Sequence, residues 1–319
     1  MSRPDVTIVI VSWNTRAILR DCLRSVYENA GPVNFDIIVV DNASTDGSAE
    51  MVRAEFAGVR VIANSDNRGF AAANNQGITV ATGRYVLLLN SDTIVLDGAI
   101  AKTIAFADAR PEAAVVGCRV LNPDRTLQAS CFLFPSILNL LLSATYLYKL
   151  FPRSRFFGRE RMSWWDKKDA REVDVISGCF MLVRREAIDQ VGPMDEGFFM
   201  YAEETDWCYR FQKAGWSNVY TPDGQIIHLG GQSTAQVSTP MMVQLRLSVL
   251  RFMRKHRGPL VYWICCLLVS IFFLVRVPIW LSVWLVVARN RQLARTKLLA
   301  YARGVRCVFA PNALTARGK

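Results

Sequence analysis

The sequence is poor in the residues that build cysteine–histidine metal centres and in the glycine patterns that cradle nucleotide phosphates. Its eight cysteines form no CxxC pair, and its two histidines are His228 and His256. A zinc site of ordinary Cys/His spacing is therefore not expected. Neither GxGxxG nor GxxxxGK(S/T) occurs, which argues against dinucleotide and P-loop ATPase sites. The first apolar run, VTIVIV, is too short and too close to Met1 for a secretory leader, so the front of the chain is expected to be cytosolic with reduced thiols. The most informative absence is local. From Met241 to Lys319 there is no Asp or Glu, against about 14 Lys and Arg.

The net charge of +11 over 319 residues therefore sits in the tail, and the first 240 residues carry roughly 24 basic side chains against 27 acidic ones overall. Such asymmetry points to an anionic partner, either nucleic acid or a membrane surface. A nucleic-acid binder wants basic and aromatic residues on a folded platform. Here the basic residues bracket an apolar segment instead, which favours lipid, and no nucleic-acid partner is expected.

Strands and helices alternate through the first 121 residues. VTIVIVSWN (Val6 to Asn14) and FDIIVVDNASTDGS (Phe35 to Ser48) read as buried strands ending in polar residues, and VRVIANS (Val59 to Ser65) and RYVLLLNSD (Arg84 to Asp92) as a third and a fourth strand. Helical spacing is expected over Thr15 to Asn29, Ala49 to Phe56, Phe70 to Ala81 and Ala99 to Asp108, with a further strand over Ala113 to Leu121. This order predicts βαβ units and an α/β fold around a mostly parallel sheet. The carboxyl ends of parallel strands share one edge, so Trp13 and Asn14, Asp41 to Asp46 including Asn42, Asn64 to Asn67, and Asn90 to Asp92 including Ser91 are expected to line one crevice. Asn90-Ser91-Asp92 alone reads equally as a turn. Four successive polar clusters after four successive strands favour the functional reading of Asp92.

Beyond Leu121 the pattern loosens. Residues 131–172 mix apolar, aromatic and basic residues and read as an amphipathic helix with a flap, or as a helix packed on the core. Val173 to Arg184 reads as a strand pair or one bent strand, with Ser177-Gly178 marking a bulge or a close approach to a ligand. Glu203, Glu204 and Asp206 open a helix, where negative charge suits the helix dipole, and Arg210 follows Asp206 at i+4. The domain boundaries expected are 1–240 for a catalytic domain and 241–319 for a basic, membrane-associated region. Its apolar segment, 259–288, fits one tilted span or a re-entrant or in-plane helix pair turning near Arg276-Val277-Pro278. Basic flanks on both sides and Arg276 in the middle favour the second form.

The crevice chemistry is polar and acidic. Asp41 would accept an imide N–H of a uracil or thymine base. Asp92 would bind Mg²⁺ or Mn²⁺, which take one or two carboxylates together with phosphate oxygens. A carboxylate among Glu203, Glu204 and Asp206 would deprotonate an acceptor hydroxyl. Diphosphate departure, metal and base together describe glycosyl transfer.

The stretches VTIVIVSWN, VVDNASTDGS, NRGFAAANNQGI, GRYVLLLNSDT, SGCFMLVRREAIDQVGPMDEGFFMYAEETDWCYR and IHLGGQST carry a family resemblance. The chain resembles the family-2 glycosyltransferases, inverting enzymes of the GT-A nucleotide-diphospho-sugar fold, and within them the bacterial rhamnosyltransferase-like branch. The resemblance spans roughly Val6 to Thr234. It implies that Val11, Trp13 and Asp41 hold the nucleotide base and that Asn67, Asn74 and Asn75 flank the nucleotide site. It implies that Asp92 is the metal-binding end of the DxD-type motif, with Asn90 replacing the first Asp and His228 a further candidate ligand. Gly178 and Cys179 are expected on the acceptor side. The catalytic pair falls on Glu203-Glu204, where Glu replaces the usual second Asp. Glu204 is the first candidate base and Asp206 the alternative. The resemblance also implies an NDP-sugar donor, dTDP-rhamnose as a first expectation, and a polyprenyl-linked or polysaccharide acceptor. The setting implied is the cytosolic face of a bacterial inner membrane, in O-antigen, exopolysaccharide or cell-wall glycan assembly. A nucleotidyltransferase on a similar sheet would want a glycine-rich basic loop after the first strand, and SWNTRAIL lacks it. A non-catalytic membrane scaffold remains the other alternative.

Overall fold

The computed structural model describes residues 3–230 and 238–309. The glycine-rich stretch from Gly231 to Thr234 and the last ten residues of the basic tail lie outside the described residues. The chain divides into two compact units. One comprises Met1–Leu133, Asp166–Glu196 and Glu203–Ser233; the other comprises Phe134–Trp165, Gly197–Ala202 and Thr234–Lys319. The insertion expected over 131–172 thus falls across both units.

The first unit opens with β1 (Val6–Ser12), α1 (Arg16–Asn29), β2 (Phe35–Asp41), α2 (Ser48–Glu55), β3 (Val59–Ala63), α3 (Phe70–Val80) and β4 (Tyr85–Asn90). Then come β5 (Thr93–Leu96), α4 (Ala99–Asp108), β6 (Ala113–Leu121) and β7 (Cys131–Phe132). After the excursion into the second unit come β8 (Arg171–Glu172), β9 (Val175–Ile176), β10 (Phe180–Arg184), α7 (Arg185–Val191), α8 (Glu203–Lys213) and β11 (Ser217–His228). The apolar runs of β1, β2 and β4 are buried: Ile8, Val9, Ile10, Val39, Leu87 and Leu88 have no exposed surface, whereas β3 at the sheet edge is only partly covered. Strands covered on both faces need such continuous runs. Gly77 lets α3 lie close on β1, because a Cβ there would come within 2.4 Å of a Val9 methyl.

The sheet order is β3-β2-β1-β4-β10-β6-β11-β5, with β8 added beside β11. The half β3-β2-β1-β4 is parallel, as the βαβ pattern predicts. The other half is mixed, since β10 runs antiparallel to both β4 and β6, and β11 antiparallel to β5. β11 is absent from the sequence reading because Pro222, Asp223 and Gly224 interrupt it with turn-forming residues. The structure absorbs them as a register shift against β6 between Tyr220 and Gln225. Of the two forms expected over Val173 to Arg184 the strand pair is present, divided at Ser177-Gly178, with β9 paired to β7 and β10 in the main sheet.

The second unit is helical: α5 (Ile137–Ala144), α6 (Leu147–Leu150), α9 (Ser238–His256), α10 (Pro259–Leu274), α11 (Arg276–Val286) and α12 (Arg291–Val308). α10 passes into α11 through Val275, which keeps right-handed helical angles and whose N–H bonds Ile271. The turn expected near Arg276-Val277-Pro278 takes the form of a brief interruption of the helical ladder. Pro278 lacks the N–H needed to continue that ladder. Arg276 is 4% exposed, and its guanidinium donates to the carbonyls of Phe272 (2.6 Å) and Ser143 (3.3 Å). The carbonyl at the end of α5 attracts a cation there, because a helix C-terminus carries partial negative charge. The mid-segment arginine is thereby satisfied by protein.

Candidate active site

The sheet order defines where ligands belong in such a fold. From β1 the chain winds outward through β2 and β3, then returns to place β4 on the other side of β1. Open α/β sheets bind ligands at the carboxyl ends of strands flanking such a reversal. The loops leaving β1 and β4 carry Trp13-Asn14 and Ser91-Asp92. A buried hydroxyl chain joins them: Ser12 Oγ and Thr15 Oγ1 lie 3.0 Å apart, and Thr15 Oγ1 donates to Ser91 Oγ at 3.2 Å.

The β1 and β2 loops are tied in the same way. Asn14 adopts a left-handed φ of 52°, donates its N–H to Ser44 Oγ at 2.9 Å, and accepts from Thr45 N at 2.7 Å through Oδ1. Asp46 accepts from Arg16 N at the start of α1 and from Ser48 N at the start of α2. Burial alone would raise its carboxyl, but these bonds and the Ser48 hydroxyl hold it below the ordinary Asp value. Asp41 is 4% exposed. Its Oδ2 accepts from Ser44 N at 3.0 Å, whereas its Oδ1 is buried with no hydrogen-bond partner. A buried acceptor without a donor is costly, so this atom is suited to a ligand N–H.

The asparagines divide by what they hold. Asn42 donates to Asn67 Oδ1 at 2.9 Å and to Gly69 O at 3.3 Å, and accepts from Asn64 Nδ2 and Arg68 N. Asn67 also accepts from Gly69 N at 3.0 Å. These side chains pin the loop that enters α3. Asn74 donates to Phe70 O at 2.9 Å inside α3. Asn75 holds the segment after α7, donating to Met194 O and Glu196 Oε1 and accepting from Met194 N. The asparagine-rich stretch therefore braces the walls of the crevice. Val11 and Trp13 are half-buried at its β1 end.

Asp92 is 5% exposed, one residue before β5. The β5–β11 register pairs Thr93 with His228, which brings His228 Nε2 to 3.1 Å from Asp92 Oδ1 and 3.3 Å from Asn90 Nδ2. His228 Nδ1 lies 2.6 Å from Gln128 Oε1, with the Gln128 amide nitrogen bonded to Asn122 Oδ1 and His228 O. With the amide oxygen facing the ring, Nδ1 donates and Nε2 is the nitrogen turned toward Asn90 and Asp92. A partner that fixes the tautomer in this way is the usual companion of a metal-ligating histidine. Sequence reasoning missed Gln128, whose distance of a hundred residues from His228 leaves no local signal.

β10 closes the β4 side. Cys179 O accepts from Asn90 N at 3.1 Å. Burial pushes the Cys179 thiol up to about 12, so it offers no thiolate. Gly178 sits beside Phe70, where a Cβ would meet the ring at 3.2 Å.

The three acids of α8 separate by environment. Asp206 is fully buried, accepts from Arg210 Nε at 2.9 Å, and Arg210 also donates to Val191 O and Pro193 O. Asp206 is thus held in an ion pair that anchors the loop before the helix. Glu203 is 2% exposed, whereas Glu204 is half-buried. Desolvation raises the Glu204 carboxyl to about 6, against the pull of its own and the Thr205 backbone N–H. A carboxylate raised toward neutrality is a better base than an ordinary one. Tyr201 and Ala202, which lead into α8, both have left-handed backbone at φ 67° and 64°, an arrangement that costs about 1–3 kcal/mol per residue and recurs at functional sites.

Among the described residues no group of three or more His, Cys, Asp and Glu side chains gathers as a metal site. Asp92 and His228 could offer two protein donors to a hard divalent cation, which would take its remaining positions from ligand oxygen atoms.

An α/β sheet of this order, with the acidic strand end and the α8 carboxylates, defines a GT-A-type glycosyltransferase. The chain belongs to glycosyl transferase family 2, whose model matches residues 7–192. It is 29% identical over 211 residues to the N-acetylglucosaminyl-diphospho-decaprenol L-rhamnosyltransferase of Mycobacterium tuberculosis, covering 63% of this chain and 68% of that protein. It is 24% identical over 227 residues to the O-antigen biosynthesis protein RfbC of Myxococcus xanthus, covering 70% of this chain but 17% of that much longer protein. Among solved structures, the mannosyltransferase PcManGT of Pyrobaculum calidifontis in complex with GDP-Man and Mn2+ aligns with a TM-score of 0.56 at 16% identity, covering 96% of this chain and 88% of the other. That likeness shows the fold.

Proposed function

We propose that this enzyme transfers a sugar with inversion from an NDP-sugar to a polyprenyl-linked or growing polysaccharide acceptor in bacterial cell-surface glycan synthesis, at the cytosolic face of a membrane. Rhamnose from dTDP-rhamnose is the first donor proposed, in keeping with the mycobacterial relative's name. The observation that carries the reading is the Asp92–His228 pair at 3.1 Å, with His228 oriented by Gln128, at the carboxyl edge of the sheet.

Asp41 Oδ1 would accept the imide N–H of the base. Asp92 Oδ1 and His228 Nε2 would hold Mg²⁺ or Mn²⁺, and two ligands about 3 Å apart suit neighbouring positions around one cation at about 2.0–2.2 Å. Such an ion supplies charge neutralisation for the departing diphosphate. The α8 residues do the proton work. Glu204 takes the proton of the acceptor hydroxyl as the acceptor oxygen bonds the anomeric carbon. The bond from that carbon to the diphosphate oxygen breaks, and the nucleoside diphosphate leaves with its electron pair.

The test is a donor screen with dTDP-, UDP- and GDP-sugars, Mg²⁺ or Mn²⁺ and a membrane-lipid extract, reading released nucleoside diphosphate. Release from one donor that depends on metal and falls at least a hundredfold in Asp92→Ala is expected. No release from any donor, with extract present, overturns the proposal.

A further inference from the structure

Pro259–Val286 forms 28 residues of apolar helix, the single stretch among the described residues long and apolar enough to cross a membrane. At 1.5 Å per residue it is about 42 Å long, more than the roughly 30 Å hydrocarbon core. Length and composition alone would make it a span.

Its packing partner contradicts that. α12 turns back beside it and packs against α11, α10 and α9. The contact is close: a Cβ at Gly304 would lie 2.8 Å from the Phe273 ring, and the Tyr301 and Phe273 rings are 6.1 Å apart. α12 must therefore share the membrane depth of the middle of the apolar helix. Yet Arg291, Arg295, Arg303 and Arg306 are all exposed, and at 100° per residue they fall within about 120° of the helix circumference. A helix with exposed cations at both ends and between cannot cross hydrocarbon beside its partner. Exposed Leu260, Trp263, Leu267, Leu274, Leu285 and Val286 along α10 and α11 still need an apolar covering. Arg254 and Lys255 before the segment and Arg289 after it put cations at both of its ends. No acid occurs from Met241 onward.

We propose that the helical unit is an in-plane anchor. It lies along the surface of an anionic phospholipid bilayer, with the exposed apolar side of α10–α11 in the acyl boundary and the arginine side of α12 on the head groups. Neither end of the apolar helix crosses. This rests on the membrane reading above and specifies its mode.

The test uses the full chain with Cys307→Ser and one added cysteine: Glu50→Cys in the catalytic unit, Arg257→Cys before the apolar helix, or Ala288→Cys after it. Sealed membrane vesicles from expressing cells are treated with an impermeant maleimide before and after detergent. All three positions labelling from the same side is the expected result. Opposite sidedness of Arg257→Cys and Ala288→Cys overturns the in-plane anchor while leaving membrane association intact. A separate flotation assay with purified protein separates the two readings further. Binding to vesicles containing anionic phospholipid is expected, weakened about a hundredfold or more when the four exposed arginines become Gln. Failure of the unaltered chain to float with any vesicle overturns membrane association itself. Unchanged flotation of the Gln variant, with an unchanged circular dichroism spectrum, overturns the head-group role of the arginine side.

Discussion

Leu87 in β4 has no exposed surface, whereas Leu267 in α10 is 58% exposed. The contrast holds across the units. Among the described residues, Tyr27 is the one exposed large hydrophobic in the sheet unit, and the rest lie in the helical unit. The sheet unit also spends its polar side chains on one edge, where Asn42, Asn67 and Asn75 brace loops and leave Asp41 Oδ1 unbonded. The helical unit buries Arg276 against backbone carbonyls and leaves Arg291, Arg295, Arg303 and Arg306 exposed. A closed core with an incomplete polar edge is built for a small polar ligand. An outside that carries both exposed apolar residues and exposed arginines is what the proposed in-plane anchor calls for.

The largest effect expected is on chemistry in the sheet unit. Glu204→Gln should lower kcat by about a thousandfold while leaving donor affinity and thermal unfolding nearly unchanged, because general-base catalysis is worth about 10²–10⁴. The carboxyl of the folded protein sits at about 6. Its basic form is therefore lost as pH falls through that value, and kcat/KM of the unaltered enzyme should drop on the acid side near there. The linkage sign runs the other way for stability. A carboxyl raised on folding binds its proton more tightly in the native state, so its ionisation weakens the fold slightly as pH rises from about 4.5 to 6. A flat rate profile across this window would remove Glu204 from the base role and return Asp206 to consideration.

Next in size is the core. Leu87→Ala should destabilise the protein by about 2–5 kcal/mol, through lost transfer energy and an uncollapsed cavity, read as a lower midpoint in urea. The smallest effect on folding is expected at Leu267→Ser, within about 0.5 kcal/mol for an exposed position, yet this variant should float less well with vesicles. Equal destabilisation by the two leucine changes would erase the contrast between the units.

Much of the sheet unit was legible in the chain. The stretches Ile8 to Val11, Ile37 to Val40 and Tyr85 to Leu89 are apolar at every position, as strands covered on both faces must be, and the helices between them keep their 3.6-residue spacing. Asp41 and Asp92 were legible because one follows such a run directly and the other ends the polar cluster that closes the next. Asn42 and Asn75 were expected near the nucleotide, and the structure shows their side chains bonded to loop backbone and neighbouring side chains. β11 was hidden by Pro222 and Gly224, and with it the pairing that sets His228 beside Asp92.

The sequence by itself determined the alternating α/β order, the acidic strand ends and the acid-free basic tail, because each is a local pattern of burial or charge. Only the tertiary structure decided which side chains meet. It brought Gln128 to His228 across a hundred residues, carried Arg210 to the carbonyls of Val191 and Pro193 and left Glu204 desolvated. It also folded α12 back along the apolar helix. Those outcomes depend on strand register and helix packing, which are set by the simultaneous fit of distant segments and leave no trace in any one of them.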